Sequence, residues 1–473
     1  MINNYTLLLD FYELTMANGY LNTDFKNDKV YFDIFFRKVP DNGGFAIFSG
    51  LETIIDYINN LKFTDSDLDY LRSKKIFSEE FLTYLKNFKF EGDIYSVKEG
   101  TPIFPYEPVM VVRGNPLEAQ LLETFILLSF NHQSLIATKA NRIKRAAGDR
   151  SVMEFGARRA QGKDAALYGA RAAYIGGVNT TSNVLADINF NIKAVGTMAH
   201  SWVQMFDSEY ESFCKYIEVY PENPVLLIDT YNVLKKGLPN AIKALKKFNI
   251  TSGGVRIDSG DIAYLTKRIR QILDNNDLKG IKIVVSNSLD EYLIRDLLLQ
   301  GAQIDSFGVG ERLITSKSEP VFGGVYKLAA IEKDNNIIPK IKVSENPEKV
   351  TTPHFKKVYR FYDKNTNKAI ADLLTIYDEK IPDDNLEIFD PVHTWKKKTI
   401  TNYYYEDLLK PIFKNGKLVY KLPNLKDIQS YCLKEIDNLW DEVKRFENPH
   451  NYYVDLSQRL WDLKNEMIEK FSK

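Results

Sequence analysis

The amino-acid sequence predicts an α/β protein organised around a mostly parallel sheet, with α+β segments before and after it. The first observation is rhythm. From Asp149 onward, short apolar runs alternate with helical stretches of about a dozen residues. The second is the N-terminal third, where helical and short-strand patterns mix and prolines at 102, 105 and 108 interrupt the alternation. The third is a shift after Lys340 to short strands, many lysines and a helical tail. The expected domains are 1–134 (N-terminal α+β), 135–340 (the parallel α/β part) and 341–473 (C-terminal α+β, partly packing back on the first).

Residues 5–20 read as an amphipathic helix with Leu7, Leu8, Phe11, Leu14 and Thr15 on one face. A strand is expected at 30–37, turns at 40–45 and a helix at 48–61. Helical pieces follow over 63–88, with a cap at Ser66 or Asp67. Residues 117–130 predict a buried helix. A second helix from Leu135 carries Lys139, Arg142, Lys144 and Arg145, read as a solvated face. In the α/β part the strands are expected at 192–195, 225–228, 254–257, 281–285 and 304–307. Helices are expected at 239–248, 262–275 and 291–299, the first with proline at an early position. Periodicity alone does not separate a closed barrel from an open sheet. Residues 363–420 read as sheet-rich, with a hairpin turn at Asn415-Gly416. The tail from 425 is helical, broken at 446–457.

Lys plus Arg and Asp plus Glu are 63 each, which argues against a bulk nucleic-acid binder. Cys214 and Cys432 make neither a disulfide framework nor a cysteine-rich zinc site. The N-terminus lacks a secretory pattern and no apolar run reaches membrane-spanning length. A cytosolic protein without a membrane or nucleic-acid partner is expected.

The polar motifs mostly follow expected strands, where active sites of α/β folds assemble. They are EFGARRAQG (154–162), GGVNTTSN (176–183), LLIDTYN (226–232), GGVRIDSGD (253–261), VVSNSLDE (284–291) and FGVGERL (307–313). His200, just after the Gly196-Thr197 turn, is either a nucleophile or proton carrier, or a packed or capping residue. Asp229 and Asp258 are hard oxygen donors suited to Mg²⁺, or else strand-end caps; Asp261 reads as the cap of the next helix. Around Ser286, Asn287 and Ser288, and at Gly308 and Gly310, small residues let backbone N–H groups approach a phosphate, or simply make tight turns. Arg158 and Arg256 suit bidentate contact with phosphate or carboxylate. The phosphate loop of ATPases is missing from the sequence.

Taken in order, these segments resemble the nicotinate/nicotinamide phosphoribosyltransferase family, as do the opening at 7–20 and the ENPH and YVDLS pieces at 447–450 and 453–457. The resemblance spans most of the chain. It implies an irregular αβ barrel of the type II phosphoribosyltransferase kind. The activity it implies is transfer of phosphoribosyl from phosphoribosyl diphosphate to nicotinate, giving nicotinate mononucleotide and diphosphate. Mg²⁺ and ATP as co-substrate are implied too, with His200 phosphorylated and its hydrolysis coupled to transfer. Asp229, Arg256 and Asp258 are then catalytic, the two aspartates holding Mg²⁺ directly or through water. Tyr12 stacks on the pyridine ring across a homodimer interface, opposite Phe155, with Arg158 beside the ring. Asn179 and Thr180 line the pocket, and Asn179 in place of an aspartate suits a base carrying a carboxylate. Ser286, Asn287, Ser288, Gly308 and Gly310 take the donor's 5′-phosphate and ribose. At one point the chain departs from the family: Pro353-His354 stands where Pro-Gly is expected. The competing readings are a nicotinamide-using enzyme of the same fold, a quinolinate-type enzyme, and a non-catalytic barrel scaffold. The intact His200, Asp229, Arg256 and Asp258 count against the scaffold.

Overall fold

The strands that carry the motifs form one six-stranded, wholly parallel sheet. In the computed structural model, which describes residues 4–472, its order is Thr180–Thr181, Ser151–Glu154, Ser306–Val309, Ile281–Asn287, Gly253–Ile257, Val225–Leu227. Val255, Ile257, Ile283, Val285, Phe307 and Val309 are all fully buried, as strands covered by helices require. Helices Leu238–Lys247, Ile262–Asp274 and Glu291–Leu299 sit between the strands, within a residue of expectation at either end. Asp261 caps the second through Tyr264 N–H at 2.9 Å. Two details differ. Residues 192–195 contribute only a single bridge, Thr181 to Ala194, because the short segment leads straight into the Gly196 loop. The strands Ser151–Glu154 and Thr180–Thr181, four and two residues long, were not anticipated. Among the described residues no ladder joins the two edge strands, so the sheet is parallel but ring closure is not part of its hydrogen bonding.

The chain divides into two compact units rather than three consecutive domains: Ile136–Pro320, and Met1–Leu135 together with Val321–Lys473. The outermost residues of the expected terminal domains, 1–3 and 473, lie outside the described residues. Strand pairing explains the difference. Val325–Lys333 pairs antiparallel with Lys29–Phe35, so residues after 320 complete a sheet begun near the N-terminus. That sheet has seven strands, and Lys410–Lys414 extends it from the other side through Asp93–Ser96. Asn415 and Gly416 both have positive φ (48° and 71°) in the expected hairpin turn. A separate four-stranded sheet contains Lys356–Asp363 and Ala369–Ile376, stitched by the buried ion pair of Arg360 and Asp372 at 2.6 Å. His354 has φ 79°, the left-handed conformation that glycine would adopt where the family has Pro-Gly.

The expected pair of helices from 117 is instead a short helix Pro116–Gln120 and one continuous helix Glu123–Ala147. No glycine or proline interrupts 121–147, so nothing stops the second helix. Its cations are not a solvated face throughout. Lys139 and Arg142 are 2% and 3% exposed and both bind Glu291, at 2.8 and 2.7 Å. The cap expected at Ser66 or Asp67 is Thr64, in a reciprocal box with Asp67. No helix among the described residues is long and apolar enough to cross a membrane.

Candidate functional site

Parallel register brings the carboxyl ends of successive strands side by side. Val309 pairs with Glu154 and Asn287, Ile257 with Val285, and Arg256 with Leu227. The residues just beyond these positions therefore share one edge of the sheet. In Gly253–Ile257 the neighbours Val255 and Ile257 point into the core, which turns Arg256 to the other face.

Arg256 is the hub. Its Nε donates to Ser286 Oγ at 2.7 Å and its Nη1 to Thr197 Oγ1 at 2.9 Å. Its Nη2 lies 3.5 Å from Asp258 Oδ2, and its guanidinium carbon is 5.8 Å from the centre of the Phe155 ring. Burial lowers the pKa of Arg256, Asp258 and Asp229 oppose that, and Arg158 adds to it. Arg159 instead joins Lys317, the larger contributor, in lowering the Glu311 carboxyl. The two adjacent arginines thus serve different neighbours.

Asp229 is held from one side. Its Oδ2 accepts from the Asp258 N–H at 2.8 Å and from Ser259 Oγ at 2.6 Å. Its Oδ1 is buried without a hydrogen-bond partner among the described residues and lies 3.9 Å from His200 Nε2. The other ring nitrogen, Nδ1, is 3.1 Å from Thr230 Oγ1. His200 opens the helix His200–Gln204, and its side chain is 42% exposed. Burial raises the Asp258 carboxyl, while Arg256 pulls it down. Two carboxylates, one with an orphaned oxygen, lie beside an accessible imidazole and a guanidinium and form one polar centre.

Phe155 shows why glycine stands at 308. A Cβ built there would come within 2.6 and 2.8 Å of ring carbons Cδ2 and Cε2. Gly308 therefore makes room for the ring, a different reason from backbone approach to a phosphate. At Gly310 a Cβ would meet the Phe155 carbonyl oxygen at 3.0 Å. Ser286 is buried and engaged by Arg256, whereas Asn287 and Ser288 are exposed. The helix behind them offers no bare N-terminus: Asp290 caps it through Leu293 N–H and also binds Arg312.

Asn179 is not brought to this edge. Its Oδ1 accepts from Val152 N–H at 3.0 Å, near the amino end of Ser151–Glu154. The carboxamide oxygen braces the start of that strand. Thr180, one residue on, has a buried hydroxyl without a hydrogen-bond partner among the described residues. Tyr12 lies in the other compact unit, on helix Phe11–Leu21, and is 44% exposed beside exposed Phe11 and Met16. Five polar residues at or next to the site were given no role from sequence: Thr197, Thr230 and Ser259, and beside Phe155, Glu154 with its partner Thr181. Each adjoins or sits inside a motif, and that adjacency was the available signal.

The whole chain matches one family. The nicotinate phosphoribosyltransferase (NAPRTase) family profile covers residues 150–367, its N-terminal domain 7–131 and its C-terminal domain 355–464. The chain is 46% identical to the nicotinate phosphoribosyltransferase of Bacillus subtilis (strain 168), over 98% of its own length and 95% of the relative's. It is 35% identical to that of Caenorhabditis elegans, over 96% and 92%. The crystal structure of human nicotinic acid phosphoribosyltransferase superposes with a TM-score of 0.85 at 28% identity, covering 97% of this chain and 99% of the human one. That of nicotinate-nucleotide pyrophosphorylase from Pyrococcus furiosus gives 0.70 at 26% identity, over 92% and 95%. On this full-length likeness, the chain belongs to the nicotinate phosphoribosyltransferase family.

Proposed function

We propose that the protein is a nicotinate phosphoribosyltransferase, joining nicotinate to the phosphoribosyl group of phosphoribosyl diphosphate. The supporting observation is the gathering of His200, Asp229, Arg256, Asp258 and Phe155 at one end of the parallel sheet. In the reaction the pyridine nitrogen forms a bond to the anomeric carbon as the bond from that carbon to the diphosphate oxygen breaks. Diphosphate leaves with the electron pair. Arg256 and Arg158 supply fixed positive charge to the departing group. Phe155 offers a flat face to the pyridine ring, and segments 286–288 and 308–310 receive the ribose and its 5′-phosphate. Asp229 and Asp258 would hold Mg²⁺: the orphaned Oδ1 and the part-exposed second carboxylate are hard oxygen donors. Bound there, the ion would neutralise charge on the leaving group.

ATP is the proposed co-substrate. A ring nitrogen of His200 attacks the γ-phosphorus, ADP leaves, and water later cleaves the N–P bond. The phosphoryl group adds negative charge near the diphosphate and so reorganises the centre. Tyr12 of a second copy supplies the opposite ring face in a homodimer. The parallel sheet is taken as the core of an irregular αβ barrel of the type II kind. Both cysteines are free thiols and buried, which suits a reducing cytosol.

Turnover assays with nicotinate and with nicotinamide test the assignment. Nicotinate is expected to be much the better substrate, and equal use of nicotinamide would refute it. Incubation with γ-labelled ATP should leave an acid-labile, alkali-stable label on the wild type. Folded His200→Ala should lose the label and ATP stimulation yet keep slow transfer. A label that persists in His200→Ala rules out the role given to the histidine.

A further inference from the structure

Glu154 takes no part in the chemistry above, yet it is fully buried at the carboxyl end of its strand, directly before Phe155. Its Oε2 accepts from the Thr181 hydroxyl at 2.7 Å, and its Oε1 accepts from the Gly156 N–H. Thr181 Oγ1 in turn accepts from Asn183 N–H at 3.0 Å, so its proton is committed to Glu154. The Glu154 carbonyl accepts from Ser182 N–H at 2.8 Å. One residue thus ties two chain segments together: the Phe155-Gly156 turn that leads to Arg158, and the Thr181–Asn183 turn. Gly156 has no slack on its other side, since a Cβ there would meet Ile314 Cβ at 2.6 Å.

A buried carboxylate is costly, and an apolar residue of the same size would leave the Gly156 N–H and the Thr181 O–H without an acceptor. The carboxylate is the side chain that accepts from both at once. We propose that Glu154 is a positioning residue for the base pocket, bracing Gly156 and Thr181 so that the Phe155 ring presents its face to the nicotinate ring. This rests on the reading of Phe155 as the stacking residue.

The test compares Glu154→Ala, Glu154→Gln, Thr181→Val and Phe155→Ala by steady-state kinetics in both substrates, with Tm measured alongside. Glutamine keeps an acceptor for the Gly156 N–H but turns a donor toward Thr181 Oγ1, whose own proton then loses its acceptor, so it should rescue most but not all of the function. In Glu154→Ala the KM for nicotinate should rise about tenfold, while the KM for phosphoribosyl diphosphate stays within about twofold. Glu154→Gln should stay within about threefold of wild type, and Thr181→Val should raise the nicotinate KM by less than Glu154→Ala. An unchanged nicotinate KM in folded Glu154→Ala, an equal rise for both substrates, or a glutamine variant as impaired as alanine each overturn the proposal. Should Glu154→Ala not fold, Thr181→Val decides: a selective rise supports the brace, and no rise overturns it. Phe155→Ala separates the two layers. If it leaves nicotinate KM unmoved, the stacking reading fails; if it raises KM while Glu154→Ala does not, only the brace fails.

Discussion

At Gly308 the absent side chain matters more than the backbone conformation. The Phe155 ring occupies the space a Cβ would need, with Ser286 Cβ 3.3 Å away on the other side. Gly308→Ala should therefore push the ring off its present face. Overpacking of this kind costs about 1–3 kcal/mol. If part of that appears in base binding, nicotinate KM should rise about tenfold with a modest fall in Tm. Unaltered kinetics in a folded variant would show that the ring position does not govern binding. The same logic explains why Arg256 cannot be exchanged freely for lysine. Its Nε and Nη atoms reach Ser286, Thr197 and Asp258 in different directions, which a single ammonium cannot do.

At the scale of an element, helix Phe11–Leu21 divides its faces sharply. Leu14, Ala17 and Glu13 are buried, while Phe11, Tyr12 and Met16 are exposed. The buried Glu13 accepts from Thr124 N–H at 3.0 Å and from its hydroxyl, and its second oxygen has no hydrogen-bond partner among the described residues. Burial pushes its carboxyl up to about 7. The folded form then holds a proton that the unfolded chain releases above its ordinary value of 4.5. Its contribution to stability is complete below that value and is lost as pH rises to about 7. Glu13→Gln should remove this slope and stabilise the protein at pH 8 by up to roughly 3 kcal/mol. Denaturant melts at pH 5 and pH 8 would check it; a wild-type slope retained in the variant would refute it.

For the whole molecule, the exposed apolar residues of that helix, and Leu8 just before it, bear on assembly. Leu8, Phe11, Tyr12 and Met16 are each 39–48% exposed, an apolar stripe that a second copy would cover. In a two-fold dimer each subunit donates the same residues reciprocally. Tyr12→Ala and Asp258→Asn subunits should each form inactive homodimers. A purified heterodimer of the two should regain about half of wild-type activity, because both defects fall in one site and the other is whole. A heterodimer without activity would contradict the shared site.

Local chemistry made much of this legible. The alternation of apolar runs and helices revealed the parallel sheet, since strands buried on both faces read as continuous Val/Ile runs. Asp229, Arg256 and Asp258 stood out as polar residues in strand-end motifs, whose ends in parallel register arrive at one edge, while Phe155 was found through the family resemblance. The burial of Lys139 and Arg142 was not legible, because a cation looks the same whether it meets water or Glu291 from far along the chain. For the same reason the sequence could not place Asn179, whose partner Val152 is 27 residues away, or reveal Glu154 as a brace. Nor could it assign residues 321–340 to the N-terminal sheet, since that follows from the pairing of Val325–Lys333 with Lys29–Phe35. Periodicity and motif order act between neighbours, so the sequence alone determined the α/β class and offered the candidate site residues. Partners for buried polar groups come from distant segments, and only the tertiary structure decided those.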